Sequence, residues 1–411
     1  MVNRLLLVAL LLSVTCPAAW AQDPAGAEFQ VNSYTTGGQA YPAVASDANG
    51  NFVVVWQSGG QDGSGDGIFG QRFNATGVPQ GSEFQVSSHT TDGQRYPSVA
   101  SDANGNFVVV WQSNYQDGIN HGVFGQRFNT AGLPLGSEFQ VNSFTTGNQY
   151  RPAVASDANG NFVVVWQSVG QDGSAYGVLG QRFNTAGLPQ GSEFRVNSFT
   201  TSNQGRPAVA SDANGNFVVV WESLGQDGSS YGVFGQRFNA TGVPQGSEFQ
   251  VNSYTTSTQR GPSVASDANG NFVIAWQSYG QDASAWGVFG QRFNATGVPQ
   301  GSEFRANTYS AGNQYSSAVA SAANGNFVVA WSSGQDGSGF GVFGQRFNAA
   351  GLPQGGEFQV NSYATSTQFL PAVASAANGN FVVAWSSYQD GSGFGVFGQR
   401  YGDLIFSDGF E

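Results

Sequence analysis

Tryptophan recurs as Trp56, Trp111, Trp166, Trp221, Trp276, Trp331 and Trp385, at intervals of 55, 55, 55, 55, 55 and 54 residues. Glu-Phe pairs beginning at Glu28, Glu83, Glu138, Glu193, Glu248, Glu303 and Glu357 keep the same beat. A period of this length means seven copies of one supersecondary unit, none of which can bury its apolar faces alone. The first copy holds four extended segments: EFQVNS (28–33), PAVASD (42–47), NFVVVWQS (51–58) and GIFGQRFN (67–74). No segment has helical periodicity, and Gly, Asn, Asp and Pro mark every junction. Four short strands repeated seven times predict an all-β fold, a seven-bladed β-propeller of four-stranded antiparallel blades. A β-solenoid needs a shorter coil per repeat, and a sandwich needs no such identical copies.

The pattern within each strand fits a blade. In NFVVVWQS, Phe52, Val54 and Trp56 share one face and Val53 and Val55 the other, which places this strand between neighbouring blades. EFQVNS alternates Phe29 and Val31 with Gln30 and Asn32, as an outer strand does. The small residues of PAVAS suit the crowded position nearest the axis. Asn49-Gly50 supplies the hairpin into the next strand, and Pro79-Gln80-Gly81 turns the third strand into the outer one. The chain starts on an outer strand, and its last copy, from 371 to Tyr401, has only the three inner ones. The N-terminal strand is therefore predicted to join the last blade and close the ring, covering edges that otherwise invite aggregation. Residues 22–401 then make one domain, although length alone would allow two or three.

The run PAVASDANGNFVVVWQS, followed by GDGIFGQRFNATG and EFQVNS, resembles the repeat of TolB-type propellers, which read Pro, small strand, Ser-Pro-Asp-Gly turn, apolar strand, loop, third strand, outer strand. The resemblance spans all seven units, roughly 28–401, and lies mainly in the order of turns and strands. Ser46-Asp47-Ala48-Asn49-Gly50 is one residue longer than that family's turn and lacks its Pro. No separate α/β domain precedes the repeats in this sequence, so a role in the Tol system is not implied. The Ser-x-Asp-x-Gly boxes of sialidase-like propellers are a weaker likeness. The resemblance implies an exported propeller whose kin mostly bind proteins or glycans.

Arg4, the apolar run Leu5–Val14 and Ala19-Trp20-Ala21 read as a secretory signal peptide over residues 1–21. That apolar run is about half of the ~20 residues a bilayer span needs, so no membrane anchor is expected. Cys16, the only cysteine, lies in this leader, and its flanks Ser13-Val14-Thr15 match a lipoprotein cleavage box poorly. The mature chain would lack Cys, Lys and Met and carry no disulfide or thiolate chemistry, in the periplasm, outside the cell or on its surface. A formal charge of -12, with Arg as the only basic residue type, argues against nucleic acid as a partner, since a phosphate backbone asks for a basic surface. Charged residues at 10% against aromatics at 14% exclude a disordered chain. Residues 402–411 (GDLIFSDGFE) fall outside the repeat; the tail is similar to short aromatic-acidic tails of some exported bacterial proteins, or simply frays.

Comparison among the copies separates two faces. The DANGN turn and the NATGVPQG or NTAGLPQG turn hardly change. The loops at 57–67 and 34–41 in copy one vary most, and antiparallel geometry gathers them on one face of the disc. Binding residues favour loops on a rigid scaffold, so this variable face is the candidate site, although exposed loops also simply drift fastest. Just before the third strand stand Asp66, His121, Tyr176, Tyr231, Trp286, Phe340 and Phe394. Aromatic rings there can stack on sugars or fill protein hot spots, or can cover the rim between blades. The other variable loop carries Arg95, Arg151, Arg206 and Arg260 in copies two to five, beside Tyr96 and Tyr150. These form a local positive patch suited to carboxylate or phosphate, or are scattered surface Arg. Copies one, six and seven lack this Arg, having Ala40-Tyr41, Tyr315-Ser316 and Phe369-Leu370.

The Arg of FGQR recurs as Arg72, Arg127, Arg182, Arg237, Arg292, Arg346 and Arg400, which predicts a structural partner, the Glu of the Glu-Phe pair across the third-to-outer hairpin. Asp62, Ser64 and Asp66 have the oxygen spacing of a calcium loop, similar to those of FG-GAP propellers of integrins. Only copy one has the second Asp, and no acid stands at the distal position, so no cofactor is expected and calcium is a weak candidate. Asp47 gives way to Ala322 and Ala376 in the last copies, which points to turn chemistry and not ligation. His89 and His121 have no nucleophile signature nearby, and the even spacing leaves no room for a catalytic insertion. The expectation is a non-enzymatic protein that recognises a glycan or protein through the variable face. A sialidase-like hydrolase or lyase and a purely structural surface protein are the alternatives.

Overall fold

Because NFVVVWQS is apolar on both sides, it can only sit mid-sheet with a neighbour on each face. The computed structural model, which describes residues 24–402 apart from 119 and 174, shows this arrangement seven times. The first five strands are β1 (Phe29–Gln30), β2 (Gln39–Ser46), β3 (Phe52–Gly59), β4 (Asp66–Phe73) and β5 (Phe84–Gln85). Blade 1 has the order β2-β3-β4-β5, and blades 2 to 6 repeat it. Blade 7 takes Gln368–Ser375, Phe381–Ser387 and Gly395–Tyr401 from the C-terminal end and is completed by β1, with Phe29 opposite Gly398 and Gln30 opposite Phe397. The chain is a seven-bladed propeller closed by its N-terminal strand. The leader and the tail beyond Gly402 lie outside the described residues. No helix among the described residues is long and apolar enough to cross a membrane.

The core lies between blades. Val53, Val55 and Ile68 of blade 1 meet Phe107, Val109 and Trp111 of blade 2, while Phe52, Val54 and Trp56 turn to Val382, Ala384 and Val396 of blade 7. All seven repeat tryptophans are 0% exposed. Each seam adds a trio of rings; at the closure, Phe52 and Phe73 stack with centroids 4.8 Å apart and Phe29 leans on Phe73 at 5.3 Å. The first strands of adjacent blades pack side by side, as their small residues require.

Two strand boundaries differ from the sequence reading. The outer strand pairs over only two residues, because the Asn32 side chain then accepts the Val396 N–H at 2.7 Å and takes over from the backbone. The inner strand begins at Gln39, before Pro42, and crosses a β-bulge between Ala40 and Ala43. Pro hid that extension, since it interrupts an apparent strand at a position the bulge accommodates.

Six of the FGQR arginines turn to a backbone carbonyl of the next blade and not to the Glu of the Glu-Phe pair. Arg72 donates to the carbonyl of Ala131 in the next blade, Arg237 to Thr296 at 2.6 Å, and Arg400 to Thr76 across the closure. Gly132, Gly297 and Gly77, each with positive φ, sit where a Cβ would strike Arg72, Arg237 and Arg400 in turn. The Glu instead joins outer strands: Glu83 accepts from the Ser33 N–H at 2.6 Å and hydroxyl at 2.9 Å, and from Gln61 at 2.5 Å. Sequence offers no sign of the true Arg partner, which is a backbone carbonyl. Asp47 is a turn residue, accepting from the Asn49 and Asn51 N–H groups at 2.9 Å and the Asn51 amide at 2.7 Å.

Candidate functional site

The bulge in each inner strand lies where the blade meets the variable face, and it leaves one residue per blade in the left-handed region. These residues are Tyr41, Tyr96, Arg151, Arg206, Gly261, Ser316 and Leu370, with φ of 55°, 54°, 48°, 49°, 59°, 53° and 54°. Six are not glycine, and such backbone costs about 1–3 kcal/mol each. Part of the compensation comes from the preceding blade. The N–H groups of Tyr96, Arg151, Arg206 and Ser316 donate to Gln57, Gln112, Gln167 and Gln277, at 3.4, 3.4, 3.3 and 3.2 Å. The Gln of WQS thus clasps the next blade. Beside this clasp a Cβ on Gly205 would lie 2.5 Å from Gln167 Oε1, so the Gln side chain sits closer there than it can in copies with Arg95, Tyr150 or Tyr315 at the same position.

The two variable loops meet across blade boundaries. At four seams the residue before the third strand of one blade contacts the residue after the repeated Gln in the next blade. Asp66 pairs with Arg95 at 2.5 Å, and His121 lies 5.0 Å from the Tyr150 ring. The Arg260 guanidinium sits over Tyr231 at 4.2 Å, and Trp286 lies 6.1 Å from Tyr315. Tyr176 faces Gly205, bridging to Asn203 by its backbone. Phe340 packs on Tyr315 at 5.8 Å and Phe394 on Phe369 at 4.8 Å. His121, Tyr231 and Trp286 therefore cover seams, Phe340 and Phe394 pack within their own blades, and all of these rings remain half-buried.

The resulting girdle has two halves. On one, Tyr41 and Tyr96 meet edge to face at 5.0 Å and Arg151 covers Tyr96 at 4.9 Å. Arg206 and Arg260 then share Glu222, at 3.5 and 2.9 Å. On the other, Tyr279, Trp286, Tyr315 and Phe340 run together through blades 5 and 6, and Phe369, Phe394 and Tyr388 make a cluster in blade 7. Tyr279 and Tyr388 are 46% and 45% exposed. Burial pulls the His121 imidazole below its usual value, aided by the charge of Arg95 and opposed by Asp117.

Sequence reasoning missed Glu222, whose side chain is only 5% exposed. The signal was there: copy four alone reads WES where copies one to three and five read WQS. It also missed Tyr41, Tyr279, Tyr315, Phe369 and Tyr388 as site residues, because their ring contacts join positions far apart in the linear sequence, some within one copy and some between copies. Asp62, Ser64 and Asp66 do not form an ion cage. Asp62 Oδ1 accepts the Ser64 N–H at 3.1 Å, its Oδ2 turns in towards Gly67, and Asp66 is committed to Arg95. No group of three His, Cys, Asp or Glu suited to a metal occurs among the described residues. On the opposite face, clefts between blades such as that lined by Asp47, Asn51, Arg72 and Asn104 recur around the ring. Their Asp and Arg side chains are spent on the turn and ring bonds described above.

No protein-family model matches the chain, and no curated protein matches it. Among solved structures it is similar to a protein of unknown function from Dyadobacter fermentans, at 9% identity and a TM-score of 0.54, over 92% of this chain and 98% of that one. The GH93 α-L-arabinofuranosidase of Fusarium graminearum, in complex with arabinobiose, aligns at 10% identity and a TM-score of 0.51, over 75% and 92% of the two chains. The β-propeller domain of the Trilobed protease from Pyrococcus furiosus, described as having an open velcro topology, aligns at 8% identity and 0.51, over 91% and 99%. At these identities the likeness is one of fold alone.

Proposed function

We propose that this chain is an exported, non-enzymatic propeller that recognises a glycan or a protein through its variable face. The observation that carries the reading is the girdle itself. Six non-glycine side chains are held on strained backbone around one mouth, and strain of this kind clusters at binding sites. The order of turns and strands shared with TolB-type propellers supports export and binding. Two features weigh against a sialidase-like hydrolase. The innermost strands beyond the bulge, Pro42–Ser46 and its equivalents, contain only Pro, Ala, Ser and Val. The girdle acids Asp66 and Glu222 are both committed to Arg side chains, whereas glycoside hydrolysis uses a pair of carboxyl groups flanking the scissile bond.

Glycan arrays and pull-downs with the chain from residue 22 test this. The wild type is expected to retain a glycan or protein ligand, and the double variant Tyr231→Ala/Trp286→Ala to lose at least about tenfold in affinity, the scale of one anchoring aromatic. Undiminished binding by that variant would move the site off this face.

A further inference from the structure

Four arginines stand in the girdle, but they are not equally engaged. Arg95 is neutralised by Asp66. Arg206 and Arg260 divide one carboxylate, Glu222, which also accepts the Gly261 N–H at 3.1 Å. Among the described residues no carboxylate lies within ion-pair distance of Arg151. Burial pulls the Arg206 guanidinium below its usual value, Glu222 opposes this, and the charges of Arg151 and Arg260 add to it. Arg206 and Arg260 thus hold the one buried carboxylate, Arg151 has none, and two positive charges are left uncompensated in a chain of formal charge -12. Concentrating like charge on half-buried side chains is unfavourable unless an anion completes the set.

The geometry points to this cluster as a subsite for the carboxylate of an acidic sugar, taken by Arg151, Arg206 and Arg260, with Glu222 as the positioning residue for two of them. The inference rests on the reading that the variable face binds a glycan. Arg151 lies over Tyr96 and Arg260 over Tyr231, at 4.9 and 4.2 Å. Arg260 spends its Nε–Nη2 edge on Glu222, at 3.3 and 2.9 Å, whereas Arg151, with no carboxylate partner among the described residues, offers its N–H fork to a ligand carboxylate. The half-buried rings of Tyr150 and Tyr176 beside the cluster offer faces for the sugar that carries it.

Glu222 makes the inference sharp, because Glu222→Gln restores the residue that Gln57, Gln112, Gln167 and Gln277 provide elsewhere and keeps an acceptor for the Gly261 N–H. Removing a negative charge would, by electrostatics alone, strengthen anion binding. If Glu222 positions Arg206 and Arg260, binding weakens instead.

The test is titration calorimetry of the chain from residue 22 with an oligogalacturonate and with a neutral oligogalactan of equal length. Preference for the uronate of about tenfold or more is expected, declining with salt. Arg151→Asn, chosen because Asn tolerates left-handed backbone, is expected to abolish that preference, and Glu222→Gln to reduce it severalfold with an unchanged melting temperature. Equal binding of the two oligomers, or an unaltered preference in Arg151→Asn, overturns the carboxylate subsite, and tighter uronate binding by Glu222→Gln overturns the positioning role. Stronger binding of poly-glutamate, or displacement of the uronate by equimolar inorganic phosphate, would assign the cluster to a different anion. Neutral binding that survives in Arg151→Asn but fails in Tyr231→Ala/Trp286→Ala would leave the variable-face reading standing and this inference refuted.

Discussion

Replacing Trp166 by Ala is expected to cost about 3–5 kcal/mol of stability, against well under half of that for Trp166→Phe. The side chain is 0% exposed and fills the seam between blades 2 and 3, walled by Val108, Val110, Val123, Val164 and Leu179. Its indole N–H finds no hydrogen-bond partner among the described residues, and neither do those of the other six repeat tryptophans. What the residue supplies is therefore volume and apolar surface, most of which Phe retains. Urea denaturation of the two variants reads the difference. Equal losses in both would mean that the indole N–H is engaged, and the seam would then be held by polarity as well as packing.

A chain that begins at residue 37 is expected to melt well below one that begins at residue 22 and to self-associate. The deletion removes β1 and exposes the Gly395–Tyr401 strand as an unpaired edge. It also removes Phe29 from the ring trio, Val31 from the core, and Glu28, which accepts from the Ser362 N–H and hydroxyl at 2.6 and 2.7 Å and from Gln389 at 2.8 Å. In a closed ring every seam supports its neighbours, so the loss is not confined to blade 7. An unchanged melting temperature and a monomeric hydrodynamic size would contradict closure by the N-terminal strand.

The repeat made the fold legible and the girdle only partly so. Trp56 and its equivalents set the number of blades, the two-sided apolar strand set the seams, and the missing outer strand of the last copy set the closure. These follow from periodicity and alternation, which a single sequence displays directly. The bulge was not legible, because its left-handed positions hold Tyr, Arg, Ser and Leu where a turn rule looks for Gly. The role of Gln57 and its equivalents was hidden too, since each bonds to the backbone of the following blade. The FGQR arginines misled for the same reason: an acid in the next strand looked like a partner, but a carbonyl about one repeat away was the acceptor. The loop residues singled out from sequence do assemble on one face. Their pairing of Asp66 with Arg95 and Tyr231 with Arg260 needed the ring geometry to appear.

Ligand is proposed to bind at the bulged mouth and not at the invariant turns. Hydrogen–deuterium exchange of the chain from residue 22, with and without the glycan or protein it retains most tightly, measures this directly. Protection is expected in the segments around Tyr96, Arg151, Arg206 and Arg260 and in the loops before Tyr231 and Trp286, with the DANGN turns unaltered. Protection centred on the turns at Asp47, Asp102 and Asp157, with the bulges exchanging as before, would contradict it.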